Sequence, residues 1–493
     1  MIPAPDINWI AILPELILGL GAAVVLLVDV QWKPAPKRLA QLGFSILVLA
    51  GAATLWQRAW LFGLTEADLG RTLPFAGMVV VDPYAIFARL VLVVVSLLGL
   101  GAAWRFLEGL GRRAAEALAL LLLATAGFSL MAVTPNLVMI FLGLEIGSIS
   151  LYVLAGFGRQ EARSDEAAIK YFLLGSFASA IFIYGVALIF AGTGSLDLFD
   201  QRTFLSGVIL VRPAVLLIGL GLVVVGLAFK VTAAPFHSWA PDVYEGAPAG
   251  AVGFMAAAAK VGGFAALTRI LVTAFDSYAD EWTAVIGGIA ALSMAVGSLL
   301  AVAQEDMRRL LAYSGVAHAG FILTGLMAGR AGTSTVWFYL AVYTVQLLGA
   351  FAVVSAVSGP ASAGSLIARY QGLGRRQPVL ALGLTVLLLG MAGIPLTSGF
   401  VAKFGVFQEA WRAGFSWLVI VAVLASVIAF FLYLRVIVTM YMGETTMGET
   451  GTEELASPPT PVKAVLGVAV LSTLVFGILP GPLLDLAADA LPF

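Results

Sequence analysis

The chain has 493 residues, of which 61% are hydrophobic and 11% are charged. About 25% charged residues is typical of a water-soluble domain, so this composition excludes a soluble globular fold and indicates a membrane protein. The net charge of −1 and the lack of a basic arm give no indication of nucleic-acid binding, and none is expected. The absence of cysteine excludes iron–sulfur ligation, a thiol nucleophile and structural disulfides in this chain.

Fourteen apolar windows of about 20 residues, the length that crosses a bilayer core of about 30 Å, follow one another along the chain. They lack period-two alternation, so we predict an all-α polytopic membrane protein rather than a β-barrel. Span 12 is predicted to resume after a break, over residues 395–412. The predicted spans 1 to 14 cover residues 9–30, 39–56, 82–104, 114–133, 135–157, 166–192, 208–236, 248–274, 282–303, 308–328, 333–358, 378–396, 416–441 and 462–480.

The opening segment MIPAPDINW has acidic and aromatic residues but no basic segment, so span 1 is expected to remain in the mature protein. Lys and Arg concentrate in the loops on one side, which the positive-inside rule makes cytoplasmic. An even number of spans then places both termini in the periplasm of a bacterial inner membrane, although an organelle-encoded chain would show the same pattern. The basic residues on this side are Lys33, Lys37, Arg38, Arg105, Arg112, Arg113, Arg159, Arg163, Arg308, Arg309, Arg369, Arg375, Arg376 and Lys463.

Two spans are interrupted by proline among small residues: Pro235 in KVTAAPFHSW of span 7, and Pro395 in GMAGIPLTSGFVAKF of span 12. The prolines lie five spans apart, which predicts two inverted five-helix repeats, spans 4–8 and spans 9–13. Broken helices at matching places indicate an ion or substrate path, because free backbone groups are tolerated in a membrane only where protein or water binds them. The alternative is that each proline only kinks a helix for packing.

These patterns divide the chain into five predicted parts. The segment GETTMGETGTEELASPPTP is acidic, polar and proline-ended, and is predicted to form a mobile cytoplasmic loop. The parts are residues 1–113 with spans 1–3, residues 114–275 with the first repeat, residues 276–442 with the second repeat, the loop at 443–461, and residues 462–493 with span 14 and a tail.

Lysine is scarce, with seven residues against twenty arginines, yet Lys230, Lys260 and Lys403 lie inside apolar spans. Lysine can lose its proton, whereas arginine in practice cannot. Each buried charge costs about 2.5 to 3.5 kcal/mol on membrane-insertion scales, so a functional role is predicted for groups that titrate.

Glu145, in VMIFLGLEIGSISLYVLAGF, is predicted to pair with Lys230. Making and breaking such a pair provides enough free energy to move a proton against a membrane potential, since one charge costs about 2.3 kcal/mol per 100 mV. The alternative is a static ion pair that fixes packing.

Lys260 lies among Ala and Gly and is predicted to be a central proton site, although small residues also favour close packing. Lys403 follows the second break and is predicted to face the path, with snorkelling as the alternative.

His237 and His318 are candidate proton relays at ordinary pH. For His237 an interface position beside Trp239 and Asp242 is the alternative, and the two histidines together could also ligate one haem. Glu166 and Lys170 are predicted to form a local i, i+4 salt bridge. Four further charged residues near span ends are predicted to snorkel: Arg269, Glu409, Arg412 and Arg435.

The chain resembles the N subunit of proton-pumping NADH:quinone oxidoreductase, the bacterial respiratory complex I, whose mitochondrial counterpart is NADH dehydrogenase subunit 2. The resemblance runs from about residue 10 to 480, and the motif PFHSWAPDVYEGAP is specific for it. It is carried by the segments FKVTAAPFHSWAPDVYEGAPAGAVGFMAAAAKVGGFAALTRIL, FLGLEIGSISLYVLAGF, EAAIKYFLLGSFASAIFIYG, RRLLAYSGVAHAGF and GIPLTSGFVAKFGVF. The sister M and L subunits more typically have an H-x-W-L-P-x-A-H form, and the family usually has threonine where this chain has Ala249.

The resemblance implies that Glu145 and Lys230 form the charge pair of one half-channel, that Lys260 is the central site, and that Lys403 belongs to the second half-channel. It also implies M-type and K-type neighbours in the bilayer, no redox centre in this chain, and NAD, FMN, iron–sulfur clusters and quinone in partner subunits. One alternative is a subunit of a multisubunit cation/proton antiporter or membrane-bound hydrogenase. Another is a structural scaffold. H⁺ is favoured over Na⁺ as the ion, because lysines repel Na⁺.

Overall fold

The computed structural model describes residues 8–62, 77–158, 162–207, 213–358, 365–443 and 457–492, and in these ranges every regular element is helical apart from two isolated β-bridges. The predicted all-α fold is confirmed. The helices are α1 Leu13–Trp32, α2 Pro36–Phe62, α3 Pro83–Ala102, α4 Trp104–Leu110, α5 Ala114–Val133, α6 Leu137–Ala155, α7 Ala162–Thr193, α8 Leu198–Gly207, α9 Ala214–Lys230, α10 Trp239–Gly246, α11 Ala249–Arg269, α12 Ala279–Val302, α13 Met307–Leu326, α14 Thr333–Ser358, α15 Leu373–Arg376, α16 Pro378–Ala392, α17 Ser398–Arg412, α18 Ser416–Met442, α19 Thr460–Ile478 and α20 Gly481–Asp489.

Eleven segments of the described chain are long and apolar enough to cross a membrane. The three remaining predicted spans also coincide with helices: span 7 with α9, span 10 with α13, and span 12 with α16 followed by α17. The two broken spans give helices too short to cross alone, and α13 carries Arg308, Arg309 and His318 within an otherwise apolar sequence. Most of the predicted loop at 443–461 lies outside the described residues.

The two predicted five-helix units have matching local structure. In the first, Asn136 caps α6 by accepting from the backbone of Val138 and Met139, and it forms a β-bridge with Asp197 after α7. In the second, the cap of α13 is Asp306, which bridges Leu366 after α14. Each unit thus attaches the start of its second helix to the segment that follows its third helix. The two predicted units therefore share this attachment.

Both broken spans contain a residue other than glycine in the left-handed region of backbone space. Thr232 has φ +64° two residues after α9 ends, and Leu396 has φ +68° four residues after α16 ends. L-residues rarely adopt this conformation, and it is least favourable for β-branched side chains. The backbone therefore turns sharply at both places that the proline pattern identified.

A buried ion pair fixes the ends of α3 and α11. Arg269 donates to both carboxylate oxygens of Asp82 at 2.8 and 2.9 Å and to the Ala132 carbonyl at 3.1 Å, and both charged side chains are fully buried. The prediction that Arg269 snorkels is wrong, because the cap of α3 supplies it with an internal partner. Arg435 likewise turns inward and donates to the carbonyls of Val302 and Gln304 after α12.

A second buried cluster attaches the N-terminal helices to the first unit. Arg89 of α3 donates to both oxygens of Glu15 at 2.9 and 2.7 Å and to Gln57 at 2.8 Å, so that α1, α2 and α3 are joined. Ser129 of α5 donates to the same glutamate. Burial makes such pairs costly to break, because the remaining partner keeps an uncompensated charge.

Candidate functional site

Lys230 lies at the last position of α9, and the residue is 2% exposed. Its amine donates to Ser148 at 2.8 Å and lies over the rings of Phe128, Tyr152 and Tyr171, 5.0 to 5.9 Å from their centroids. The negative face of an aromatic ring attracts a cation, and the attraction grows when water is excluded. The site therefore has one hydroxyl and three aromatic rings around the amine.

Glu145 lies one helical turn before Ser148 on α6 and accepts a hydrogen bond from Ser179 of α7. It does not form the predicted direct ion pair, since no Glu145 oxygen lies within 4.0 Å of the Lys230 amine in the described residues. A cavity of about 10 Å³ lies beside the amine and is lined by Ser148, Tyr152 and Ser179. This is about the space that one water molecule needs.

Lys260 lies in the middle of α11 and is also almost fully buried. Its amine donates to the Val231 carbonyl at 3.2 Å and to the Thr232 hydroxyl at 2.5 Å, so that it binds the break that directly follows Lys230. A side chain at Gly263 would come within 2.6 Å of Val231. The small residues around Lys260 thus let α11 pass close to the break.

Lys403 binds across its own break in the second unit. From α17 its amine donates to the Ala392 carbonyl, the last of α16, at 3.0 Å, and it lies 4.5 Å from the centre of the Phe321 ring. Gly393, with φ +86°, lies against the lysine stem, and a Cβ there would come within 2.9 Å of Lys403 Cδ. The Lys403 amine points into the protein rather than towards the membrane surface, so Lys403 does not snorkel.

His318 of α13 is held by three tyrosines. Its ring nitrogens lie 2.9 Å from the Tyr339 hydroxyl and 3.3 Å from the Tyr433 hydroxyl, and the ring stacks on Tyr343 at 4.2 Å. Haem ligation needs a free ring nitrogen, and neither nitrogen of His318 is free, so the geometry does not support the haem alternative.

His237 occupies a different environment. It is half-buried in the segment after Pro235, with its ring 6.2 Å from that of Tyr313, and its Nδ1 has no hydrogen-bond partner among the described residues. Lys230 and Lys260 thus meet at the first break, while the His318 ring and the Lys403 amine both lie against the Phe321 ring. We call Lys230, Lys260, His318 and Lys403 the buried row, to which the half-buried His237 does not belong.

The side chains that complete this row were not identified from the sequence. Ser148 follows Glu145 by three residues, so a search for hydroxyls one helical turn from a buried charge would have found it. Thr232 carried a signal of its own, since it lies two residues after Lys230 at the break. The three tyrosines come from α14 and α18, and no local pattern connects them with His318.

A cluster of surface charges surrounds α10, which follows span 7. Asp242 accepts from Lys170 at 2.9 Å and from Arg309 at 2.8 Å, and Arg309 also donates to Glu245 at 2.9 Å. The predicted Glu166–Lys170 salt bridge is present at 2.6 Å. Glu166, Lys170, Asp242 and Glu245 border a pocket of about 150 Å³. Partial burial opposes ionisation of Asp242, but hydrogen bonds from Lys170 and Arg309 outweigh it and lower the pKa of this carboxyl.

We expect Asp242→Asn to lower the midpoint temperature of thermal denaturation at neutral pH by at most about 2 °C, since partly exposed ion pairs contribute little to the free energy of unfolding. A carboxyl with a lowered pKa stabilises the fold above its unfolded value of about 3.9, and this contribution is lost as the pH falls through the folded value. Thermal denaturation of variant and wild type in detergent should therefore differ near neutrality and converge in acid. A difference that grows on acidification would contradict the assignment.

The sequence and the fold of the chain are both similar to those of known membrane proteins. Residues 134–429 match the family model described as NADH:quinone oxidoreductase/Mrp antiporter, TM. The NADH-quinone oxidoreductase subunit N of Trichlorobacter lovleyi is 38% identical, and the match covers 98% of this chain and 97% of that protein. A chain of respiratory complex I from Thermus thermophilus with bound Aureothin has a TM-score of 0.79 at 32% identity, covering 96% of this chain and 99% of that one. A chain of the membrane-bound sulfane sulfur reductase, an archaeal respiratory membrane complex, has a TM-score of 0.83 at 26% identity, covering 98% and 97%.

Proposed function

The chain belongs to the NADH:quinone oxidoreductase/Mrp antiporter family, among the subunits N, and from this premise we propose that its row of buried lysines carries protons across the membrane. It is a proton-translocating membrane-arm subunit of NADH:quinone oxidoreductase. The observation that supports the lysine mechanism most strongly is the contact of Lys260 with Val231 and Thr232, because it places the central amine against the segment that follows Lys230.

In this proposal each buried group has one role. Glu145 and Lys230 form the first half-channel. A water molecule in the cavity beside them bridges the two side chains, and this bridge forms and breaks as the carboxylate moves. Lys260 receives the proton at the centre, His318 passes it between Lys260 and Lys403, and Lys403 serves the second half-channel. His237, which lies apart from the row, is a candidate relay at the protein surface. The energy scale is adequate, since three pKa units correspond to about 4 kcal/mol and one charge crossing 100 mV costs about 2.3 kcal/mol.

The redox chemistry is proposed to take place in partner subunits, which carry NAD, FMN, iron–sulfur clusters and quinone, while M-type and K-type subunits adjoin this chain in the bilayer. Both termini are proposed to lie in the periplasm, and the two five-helix units are proposed as separate structural divisions at 114–275 and 276–442. The antiporter, hydrogenase and scaffold alternatives are not favoured, because relatives that are 37–44% identical are named subunit N of NADH-quinone oxidoreductase.

We expect Lys230→Met to reduce NADH-driven proton uptake by inverted membrane vesicles at least about tenfold, a bound set below the roughly 10²- to 10⁴-fold that general acid–base groups contribute. Lys463→Met is the matched control, since Lys463 is exposed and its amine donates to Ser457, outside the buried row. Lys230→Arg keeps the positive charge but cannot release a proton, so it should fail as Lys230→Met does. Wild-type uptake by an assembled Lys230→Arg complex would show that the charge only stabilises packing.

A further inference from the structure

Thr232 combines an unfavourable backbone conformation with a specific hydrogen bond. Its φ of +64° would suit glycine or asparagine, and a β-branched residue adopts it at a cost. The residue is 2% exposed, and its hydroxyl contacts only groups of the proposed path among the described residues. Sites that retain such strain are often functional, so the threonine side chain requires an explanation beyond the turn itself.

The hydroxyl of Thr232 is oriented by its two partners. It donates to the Val231 carbonyl at 2.6 Å and accepts from the Lys260 amine at 2.5 Å. The single hydrogen is used by Val231, so the lone pairs of the oxygen are directed towards the lysine. The Lys260 amine of α11 is thereby hydrogen-bonded to Thr232, which lies two residues after Lys230, the last residue of α9.

The Thr232 hydroxyl can both accept a hydrogen bond from Lys260 and donate one to it, whereas a carbonyl can only accept. A protonated amine has only donors, whereas a neutral amine also has a lone pair that accepts a hydrogen bond. The Thr232 hydroxyl can accept from the first form and, by rotating away from Val231, donate to the second. The Val231 carbonyl, at 3.2 Å from the amine, can only accept. The threonine can thus hold the amine in place before and after the proton leaves.

The second break has no such arrangement. Its left-handed residue is Leu396, which has no hydroxyl and is 69% exposed, and Lys403 binds the Ala392 carbonyl instead. Since both breaks turn with a non-glycine residue, the turn alone does not require a hydroxyl.

We propose that Thr232 is a positioning residue that holds the Lys260 amine against the end of the Lys230 helix in both protonation states. This inference rests on the proposed function, because it matters only if Lys260 exchanges protons. It predicts that the rates of NADH oxidation and proton uptake depend on the Thr232 hydroxyl, and not on the shape of its side chain or on the backbone turn.

Three substitutions separate these contributions in membranes that contain the whole complex. Thr232→Ser keeps the hydroxyl and should retain NADH oxidation and proton uptake within about twofold of wild type. Thr232→Gly fits the φ of +64° better than threonine but removes the hydroxyl, and should lose about tenfold, as expected for a lost hydrogen bond to a charged group. Thr232→Ala should show a similar loss. Thr344→Val is the matched control, because among the described residues this buried hydroxyl bonds only to backbone carbonyls of its own helix.

Assembly is measured by native gel alongside both rates. An assembled Thr232→Gly complex with wild-type rates would overturn the proposal, and so would a loss in Thr232→Ser equal to that in Thr232→Gly. If Thr232→Gly and Thr232→Ala both fail to assemble while Thr232→Ser assembles, the hydroxyl is required for folding and the proposal is wrong. Failure of the proposed function has a different signature, namely wild-type coupled activity in Lys260→Ala.

Discussion

Lys260→Ala is expected to abolish most NADH oxidation and the proton gradient that it drives in inverted membrane vesicles, while native gels show a normal amount of assembled complex. The amine donates to the Val231 carbonyl and the Thr232 hydroxyl of the first break, directly after Lys230. Its removal takes a buried titratable group away from this break. General acid–base groups contribute about 10²- to 10⁴-fold, so a loss of at least tenfold is expected.

The control for this variant is Lys463→Ala, which removes an exposed lysine outside the row. Normal assembly with parallel losses of oxidation and pumping would identify Lys260 as a titrating site coupled to the redox reaction. An assembled Lys260→Ala complex with wild-type rates and the same gradient per NADH would make the lysine structural and the proposed mechanism wrong. Loss of assembly alone is the outcome that the scaffold alternative predicts.

Arg269→Met is expected to destabilise the protein by about 3 to 5 kcal/mol, because it leaves the fully buried carboxylate of Asp82 without a partner. A typical domain has a net stability of about 5 to 15 kcal/mol, so much less of this chain should reach the assembled complex. The measurement is the amount of complex on native gels together with thermal denaturation of the purified protein.

The double variant Asp82→Asn/Arg269→Met tests the cause of this loss. Asparagine removes the charge but can still cap α3, where Asp82 accepts from the backbone of Ala85. We expect the double variant to recover a large part of the lost stability. Arg412→Met is the control, since the Glu409–Arg412 pair has a similar distance of 2.8 Å but an exposed arginine, and its loss should cost at most about 1 kcal/mol. A single Arg269→Met variant no less stable than the double one would contradict the argument.

The helical architecture could be predicted from the sequence because lipid imposes a simple rule on length and composition. The two breaks were equally visible, since Pro235 and Pro395 interrupt apolar runs at corresponding places. Even there, the sequence did not identify which residue turns the chain. Thr232 and Leu396 adopt the left-handed conformation, and neither belongs to the residue types that usually do so.

The sequence could not show which groups the buried charged side chains bind. Asp82 and Arg269 are 187 positions apart and meet only because α3 and α11 pack together. Lys230 was predicted to bind Glu145 directly, but Ser148, on the same helix as the carboxylate, is nearer to the amine. A pattern of charges shows which residues need partners, whereas three-dimensional packing determines which partners they find.

The matching caps of α6 and α13 also allow the two units to be compared position by position. Nine residues after Asn136 lies Glu145, and nine residues after Asp306 lies Gly315, close to the Lys260 amine. Three residues further along are Ser148 in the first unit and His318 in the second. The first unit therefore has a carboxyl and a hydroxyl where the second has a glycine and an imidazole, so the two units supply different chemical groups at corresponding positions.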